Sequence, residues 1–184
     1  TLMVGREMGD NYYRTDYPNY ATEAQGEIAI MMQNVSVPGS LNDVSLELHK
    51  GEILGIGGLS ECGMHEVGKA MFGASYDRTG TVQLGDGTPI DSINTAISNS
   101  IAYASKDRDN ESLLINDTIQ DNITLPSMRD MGFILKQKDL KAFAKKYADI
   151  MSTKMVGVEQ YVSALSGGNK QKVVLARWLG KQSN

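Results

Sequence analysis

Cysteine is almost missing from this 184-residue chain, with Cys62 as its only example. One cysteine excludes a disulfide framework and any cysteine-rich zinc site. Histidine is nearly as scarce: His49 and His65 leave little material for a histidine-based metal centre. Positive charge is also in deficit, since 18 Lys+Arg stand against 22 Asp+Glu for a net charge of −4. Bulk nucleic-acid binding asks for a basic footprint, so this balance argues against a nucleic-acid partner. No stretch approaches the roughly 18 apolar residues that a membrane-spanning helix requires. What remains is 41% hydrophobic and 22% charged, enough for about one domain with its own core. The expectation is an intracellular soluble domain.

Residues Met8 to Gly26 carry Tyr12, Tyr13, Tyr17 and Tyr20 among Asp, Asn and Pro, without apolar periodicity, and read as a linker. Strands are expected over Glu27–Met32 and Val44–Leu48, around a turn at Pro38-Gly39-Ser40. The apolar run Glu52–Ile56, closed by Gly57-Gly58, reads as a buried central strand. A loop from Gly58 to Gly63 then leads into a helix through Phe72. Strands follow at Gly80–Leu84 and Ile101–Ala104, with a short helix capped by Ser92 between them. The charge run from Lys106 to Glu111 is expected on the surface. Asp117 or Thr118 should open a short helix that ends before Pro126. Asp139–Met151 is amphipathic, with Leu140, Phe143, Ala144, Tyr147, Ile150 and Met151 on one side. A last helix runs from Gly167 to about Leu179.

Chemistry could sit in two places. The first is the strand–loop–helix unit around Gly58-Leu59-Ser60-Glu61-Cys62-Gly63-Met64-His65. A phosphate-binding loop reads G-x-x-x-x-G-K-[ST], its glycines letting backbone N–H groups turn inward toward oxygens. Both framing glycines are present, but Met64 stands at the lysine position and His65 at the Mg²⁺-binding hydroxyl. Glu61 puts a negative charge where phosphates would lie, and like charges about 4 Å apart repel by roughly 4 kcal/mol at an effective dielectric near 20. The loop therefore reads as a degraded phosphate site or, equally well, as a plain tight turn. Cys62 reads as a small buried packing residue, without a histidine–carboxylate pair to make it a nucleophile. The second place is Leu165-Ser166-Gly167-Gly168-Asn169-Lys170-Gln171, opening the last helix. Ser166 can cap that helix, and bare glycine amides at a helix N-terminus suit an anion. An ordinary capped helix would explain Leu-Ser-Gly-Gly alone. The longer run, through Val173, Ala176 and Arg177, carries more information than that.

This run resembles the signature motif of the ATP-binding-cassette (ABC) transporter ATPases, Leu-Ser-Gly-Gly-Gln or Asn. Gly58-Leu59 with Gly63 and Glu66 is similar to the second cassette of the monosaccharide importers of ribose, galactose and xylose type, in which two cassettes share one chain. Met3–Glu7 resembles the end of a first cassette, and Ser105-Lys106-Asp107-Arg108 that subfamily's Ser-Glu-Asp-Arg, with Lys106 at the Q-loop-like position. Val37 stands about where many cassettes stack an aromatic on adenine.

The resemblance implies an incomplete α/β fold of the P-loop NTPase-like ABC ATPase type: an antiparallel β edge, a mostly parallel core sheet and a helical subdomain. It implies an inter-cassette linker over 1–26, a nucleotide-binding core over 27–106, a helical subdomain over 107–164, and the signature segment over 165–184. It implies ATP and Mg²⁺ in the full protein, with Leu165, Ser166, Gly167, Gly168, Asn169 and Gln171 completing the ATP site of the first cassette. The implied partners are that cassette, the transmembrane permease subunits and, indirectly, a sugar-binding protein, at the cytoplasmic face of the membrane. Because the family's Walker B strand and switch histidine would follow residue 184, the expectation is a piece of a longer polypeptide, inactive alone. Two other readings stay open: a non-catalytic regulatory or structural module with this fold, and a stand-alone enzyme of another P-loop class.

Overall fold

The computed structural model describes residues 26–59, 62–132 and 134–182. The linker, apart from Gly26, the Met3–Glu7 segment, Ser60 and Glu61 lie outside the described residues.

Three strands form one sheet in the order β2-β1-β3, built from β1 (Ile28–Val37), β2 (Leu41–His49) and β3 (Thr79–Leu84). Both pairings are antiparallel, with Met32 of β1 lying opposite Leu46 of β2 and Val82 of β3. The register breaks between Met32 and Val35, where Asn34 takes a left-handed φ of 49°. Gly80 sits against this bulge at φ 78°, and a side chain there would strike the Asn34 carbonyl. Glycine tolerates both the dihedral and the close approach.

One face of the sheet is covered by α1 (Met64–Met71) and α2 (Ile93–Ser98). Ile30, Met32, Val35, Val82, Ile90, Val67, Ala70 and Ala96 make this first core. Ser92 caps α2 by accepting the Thr95 N–H. A second core is all-helical, from α3 (Ile119–Thr124), α4 (Gln137–Ile150) and α5 (Gly167–Gly180). Thr118 and Asp121 form a reciprocal capping box at the start of α3. On α4 the buried set is Leu140, Ala144, Tyr147 and Ala148, an i, i+4, i+7, i+8 stripe that faces α3 and α5. Trp178 of α5 packs against both cores, its ring edge-on to Phe72 and its Nε1 donating to the Tyr103 carbonyl at 2.8 Å.

The second core encloses an unusual polar knot. Arg177 is 7% exposed and has no carboxylate partner among the described residues. Its Nε donates to the Asn122 carbonyl at 2.6 Å, its Nη2 to Asn122 Oδ1 at 2.8 Å, and its Nη1 to the Ser112 carbonyl. Burial pushes the guanidinium pKa down to about 10, so it stays charged at neutral pH and depends on these dipoles.

Several expectations need correction. The run 52–58 has no regular hydrogen bonding, and Ile53 is 98% exposed. An apolar run becomes a strand only when neighbours supply backbone partners, and no described strand pairs with this one. Ile101–Ala104 is likewise not a strand: Ile101 N–H turns back to the Ala96 carbonyl, and the Tyr103 carbonyl is taken by Trp178. Every strand pairing among the described residues is antiparallel, so the parallel part of the expected sheet is not formed by them. Ile150 is exposed, because it lies to one side of the α4 stripe, which continues instead to Met151 packed on the second core. Cys62 is exposed rather than buried, set against the exposed Gly58.

No helix among the described residues is long and apolar enough to cross a membrane.

Candidate functional site

The loop before α1 is tied to the β1–β2 turn. Gly63 occupies the N-cap of α1 at φ 89°, and a side chain there would run into the Ser40 carbonyl and Leu41. Gly58 is pressed against the Cys62 side chain, and Cys62 N–H closes a turn onto the Leu59 carbonyl at 3.2 Å. Both framing glycines thus have a packing reason to be glycine. Leu59 is 84% exposed, His65 is exposed and Met64 half-buried. No ammonium or hydroxyl stands at the start of α1, so these residues do not fit a nucleotide phosphate with its Mg²⁺. Val37, at the end of β1, is buried in the first core.

The run from Leu165 to Gln171 borders the second core at the start of α5. Leu165 is buried and anchors it, whereas Ser166, Gly167 and Gly168 are exposed. Ser166 takes the N-cap position of α5, but no side chain caps the helix. Its Oγ instead accepts from Asn169 Nδ2 at 3.0 Å, and Asn169 Oδ1 in turn accepts the Lys154 N–H at 3.0 Å. This arrangement corrects the expected cap and improves the site. The first-turn amides of α5 lack side-chain acceptors, and the Ser166 hydroxyl keeps its own hydrogen to donate. A side chain on Gly168 would meet nothing within 4 Å, so the backbone there is open to a close approach. Uncapped amides, the positive end of a 14-residue helix and a free hydroxyl suit a phosphate oxygen. Gln171 is half-buried on the same helix.

Between these sites runs the segment that contains Lys106. Lys106 itself is exposed, while Ser105 beside it is 5% exposed and donates its hydroxyl to Glu111. Residues Arg108–Ser112 form a single π-helical turn, a form frequent at functional positions. The expected surface charges are partly engaged here: Lys69 of α1 meets Glu111 at 2.6 Å, and Lys170 of α5 meets Asp109 at 2.8 Å. The Glu111 carboxyl is held below the ordinary carboxylate value by Lys69 and then by Ser105, and its hold in turn raises Lys69. Sequence reasoning saw only a charged run; nothing in residues 106–111 alone reveals their distant partners. No hydrogen bond or ion pair among the described residues joins the 58–65 loop directly to the signature run. No group of three His, Cys, Asp or Glu among the described residues could hold a metal ion.

A family profile described as "ABC transporter" matches residues 41–184. The chain belongs to the ABC transporter family. The ribose import ATP-binding protein RbsA of Bacillus cereus is 34% identical over 183 residues, covering 98% of this chain and 36% of that protein. RbsA of Lactococcus lactis subsp. cremoris is 36% identical over 181 residues, covering 97% of this chain and 35% of its own length. This ABC chain therefore spans about a third of the length of the curated relatives it matches. Among solved structures, a dimeric bacterial ABC transporter cassette superposes with a TM-score of 0.67 at 19% identity, over 83% of this chain and 69% of that one. A bacterial Atm1-family ABC exporter with ATP bound gives a TM-score of 0.60 at 27% identity, over 84% of this chain and 27% of that one. The ABC ATPase cassette fold, a P-loop NTPase fold, is thus shared despite the strand pairings missing here.

Proposed function

We propose that this chain is part of the second, degenerate cassette of an ABC-type importer of monosaccharides, and that it serves ATP hydrolysis through its signature rather than through its own loop. The carrying observation is the contrast between its two motifs: an open, uncapped α5 N-terminus at Ser166-Gly167-Gly168, and a start of α1 without lysine or hydroxyl. Relatives named as ribose import ATP-binding proteins support the sugar-import reading.

In this reading 1–26 is the inter-cassette linker, 27–106 the nucleotide-binding core, 107–164 the helical subdomain and 165–184 the signature segment. The two hydrophobic cores, one on the sheet and one between α3, α4 and α5, support the boundary near residue 106, while 107–164 and the signature segment share the second core. ATP and Mg²⁺ belong to the site of the first cassette, which faces this signature head to tail. There the Ser166 hydroxyl and the Gly168 amide bind the γ-phosphate, and Asn169 orients Ser166 from behind. Gly58 to His65 form the weak half of the other site, and no step runs through them. Closure of the two cassettes drives the permease subunits, which sit above the helical subdomain at the cytoplasmic face of the membrane. A sugar-binding protein delivers the sugar to that permease.

The test is ATP turnover by the full two-cassette protein with its permease. Ser166→Ala should lower kcat about tenfold or more, as expected when one preorganised donor to developing charge is lost. Met64→Ala should leave kcat within about twofold, because no phosphate ligand is removed. Unchanged turnover in the Ser166 variant would instead favour a cassette-like module without a catalytic role.

A further inference from the structure

The chain leaves α4 through a tight turn that the first two turns of α5 grip from the side. Ser152 takes a left-handed φ of 50°, its N–H donating to the Asp149 carbonyl at 2.9 Å and the Thr153 N–H to the Ala148 carbonyl at 3.0 Å. This is the Schellman closure of a helix C-terminus, with serine where glycine is usual. Met151 and Met155 pack against the second core before and after it, and Thr153 between them is 9% exposed. The turn is thus a fixed part of the core surface, and it offers two backbone groups to α5. The Ser152 carbonyl accepts from Lys172 Nζ at 2.7 Å, and the Lys154 N–H donates to Asn169 Oδ1 at 3.0 Å. Lys172 and Asn169 are three residues apart, on one face of α5. The Lys172 ammonium also stands at the C-terminal end of α4, where the helix dipole favours a cation.

The Lys154 N–H fixes which way the Asn169 amide points. A backbone N–H only donates, so the Asn169 oxygen faces it and the Asn169 NH2 faces Ser166, whose Oγ it reaches at 3.0 Å. We propose that the exit of α4 is the template that sets the donor direction of the signature serine, with Lys172 as a positioning residue for Ser166. Lys172 holds the Ser152 carbonyl, the turn keeps the Lys154 N–H in line with Asn169, and Asn169 leaves the Ser166 hydrogen free to point outward. The inference rests on Ser166 acting in ATP hydrolysis, as proposed above, and adds what fixes its hydroxyl. Without the Lys154 N–H the Asn169 amide can turn over and accept from Ser166, and the serine then spends its hydrogen inside the chain instead of on a phosphate oxygen. ATP itself is held by the first cassette, so a misdirected Ser166 costs turnover rather than affinity.

The experiment uses the full two-cassette protein with its permease and reads kcat, KM for ATP and melting temperature. Lys172→Met should lower kcat about threefold or more, with KM within about twofold. Lys172→Arg, which keeps a cationic donor of similar reach, should restore most of the turnover. Adding Lys172→Met to Ser166→Ala should lower kcat by less than about 1.5-fold further, because the group it positions is gone. Losses that multiply, an effect confined to KM, or an arginine variant no better than the methionine one would each overturn the proposal. Lys172→Gln repeats the series if the methionine variant is poorly folded. Ser166→Ala alone separates the two ideas. If it lowers turnover while Lys172→Met does not, the positioning role fails by itself; if it has no effect, the underlying function fails with it.

Discussion

Replacing Asn122 with alanine would open the polar knot at the centre of the helical core. The Asn122 side chain is completely buried and makes four hydrogen bonds: Oδ1 accepts from Leu114 N–H and Arg177 Nη2, and Nδ2 donates to the Leu114 and Thr118 carbonyls. Those two carbonyls keep other partners, from Asp117 N–H and Asn122 N–H. Two donors do not, the Leu114 amide and one arm of a buried guanidinium. An orphaned buried donor costs about 1–3 kcal/mol, and more when charged, so the expected loss is about 3–5 kcal/mol. That is a large part of the roughly 5–15 kcal/mol available to a domain, and it should lower Tm by on the order of 10 °C. Urea unfolding followed by circular dichroism reads the change, with hydrogen exchange in α3 and α5 locating it. A loss below about 1 kcal/mol at unchanged m-value would refute the reasoning, because Arg177 would then have found a replacement acceptor or water.

Other perturbations test separate parts of the structure. Gly80→Ala should destabilise by at least about 1–2 kcal/mol in the same unfolding assay, from its left-handed φ and its closeness to the Asn34 carbonyl. Ile53→Ser should change the stability of this chain by less than about 0.5 kcal/mol, since the side chain is 98% exposed; a larger loss would mean that the run is packed in solution. The lowered pKa of Glu111 means that its charged form favours the folded state, so its contribution is present above the ordinary carboxylate range and disappears as pH falls through the lowered value. The stability advantage over Glu111→Gln should therefore shrink between roughly pH 5 and 3, and also with added salt, and denaturation curves across that range would show it. An advantage that grew on acidification would contradict the ion pair with Lys69.

Local chemistry made much of this architecture legible. Ser92 announced one helix start and Asp117 or Thr118 another, and of these Ser92 and Thr118 are the caps. The 3.6-residue spacing of Leu140, Ala144 and Tyr147 exposed the buried side of α4, although Ile150 satisfied the same pattern and lies outside it. What local chemistry could not convey was pairing. Ile53 to Ile56 has the composition of an interior strand, but a strand is a relation between segments, and composition alone cannot supply the neighbour. The run Leu165–Asn169 stands out in the sequence because its residues are contiguous and include paired glycines, and the function proposed above starts from it. The side chain of Ser166 was misjudged for a related reason: a cap and an Asn169 acceptor look alike until Asn169 is seen bridging to Lys154. The links from Glu111 to Lys69 and from Asp109 to Lys170 cross 42 and 61 residues, and no periodicity encodes them.

The placement of Trp178 has a practical consequence. It is the sole tryptophan of the chain, and it sits where the sheet core and the helical core meet, with its indole N–H held by Tyr103. Intrinsic fluorescence therefore reports from the seam rather than from either interior. If the cores part, the indole loses the Phe72 edge and its carbonyl partner together, gains water, and its emission shifts to the red, while circular dichroism stays constant because no helix melts. A change in emission without a change in ellipticity would thus register hinge opening in this chain, with no label attached.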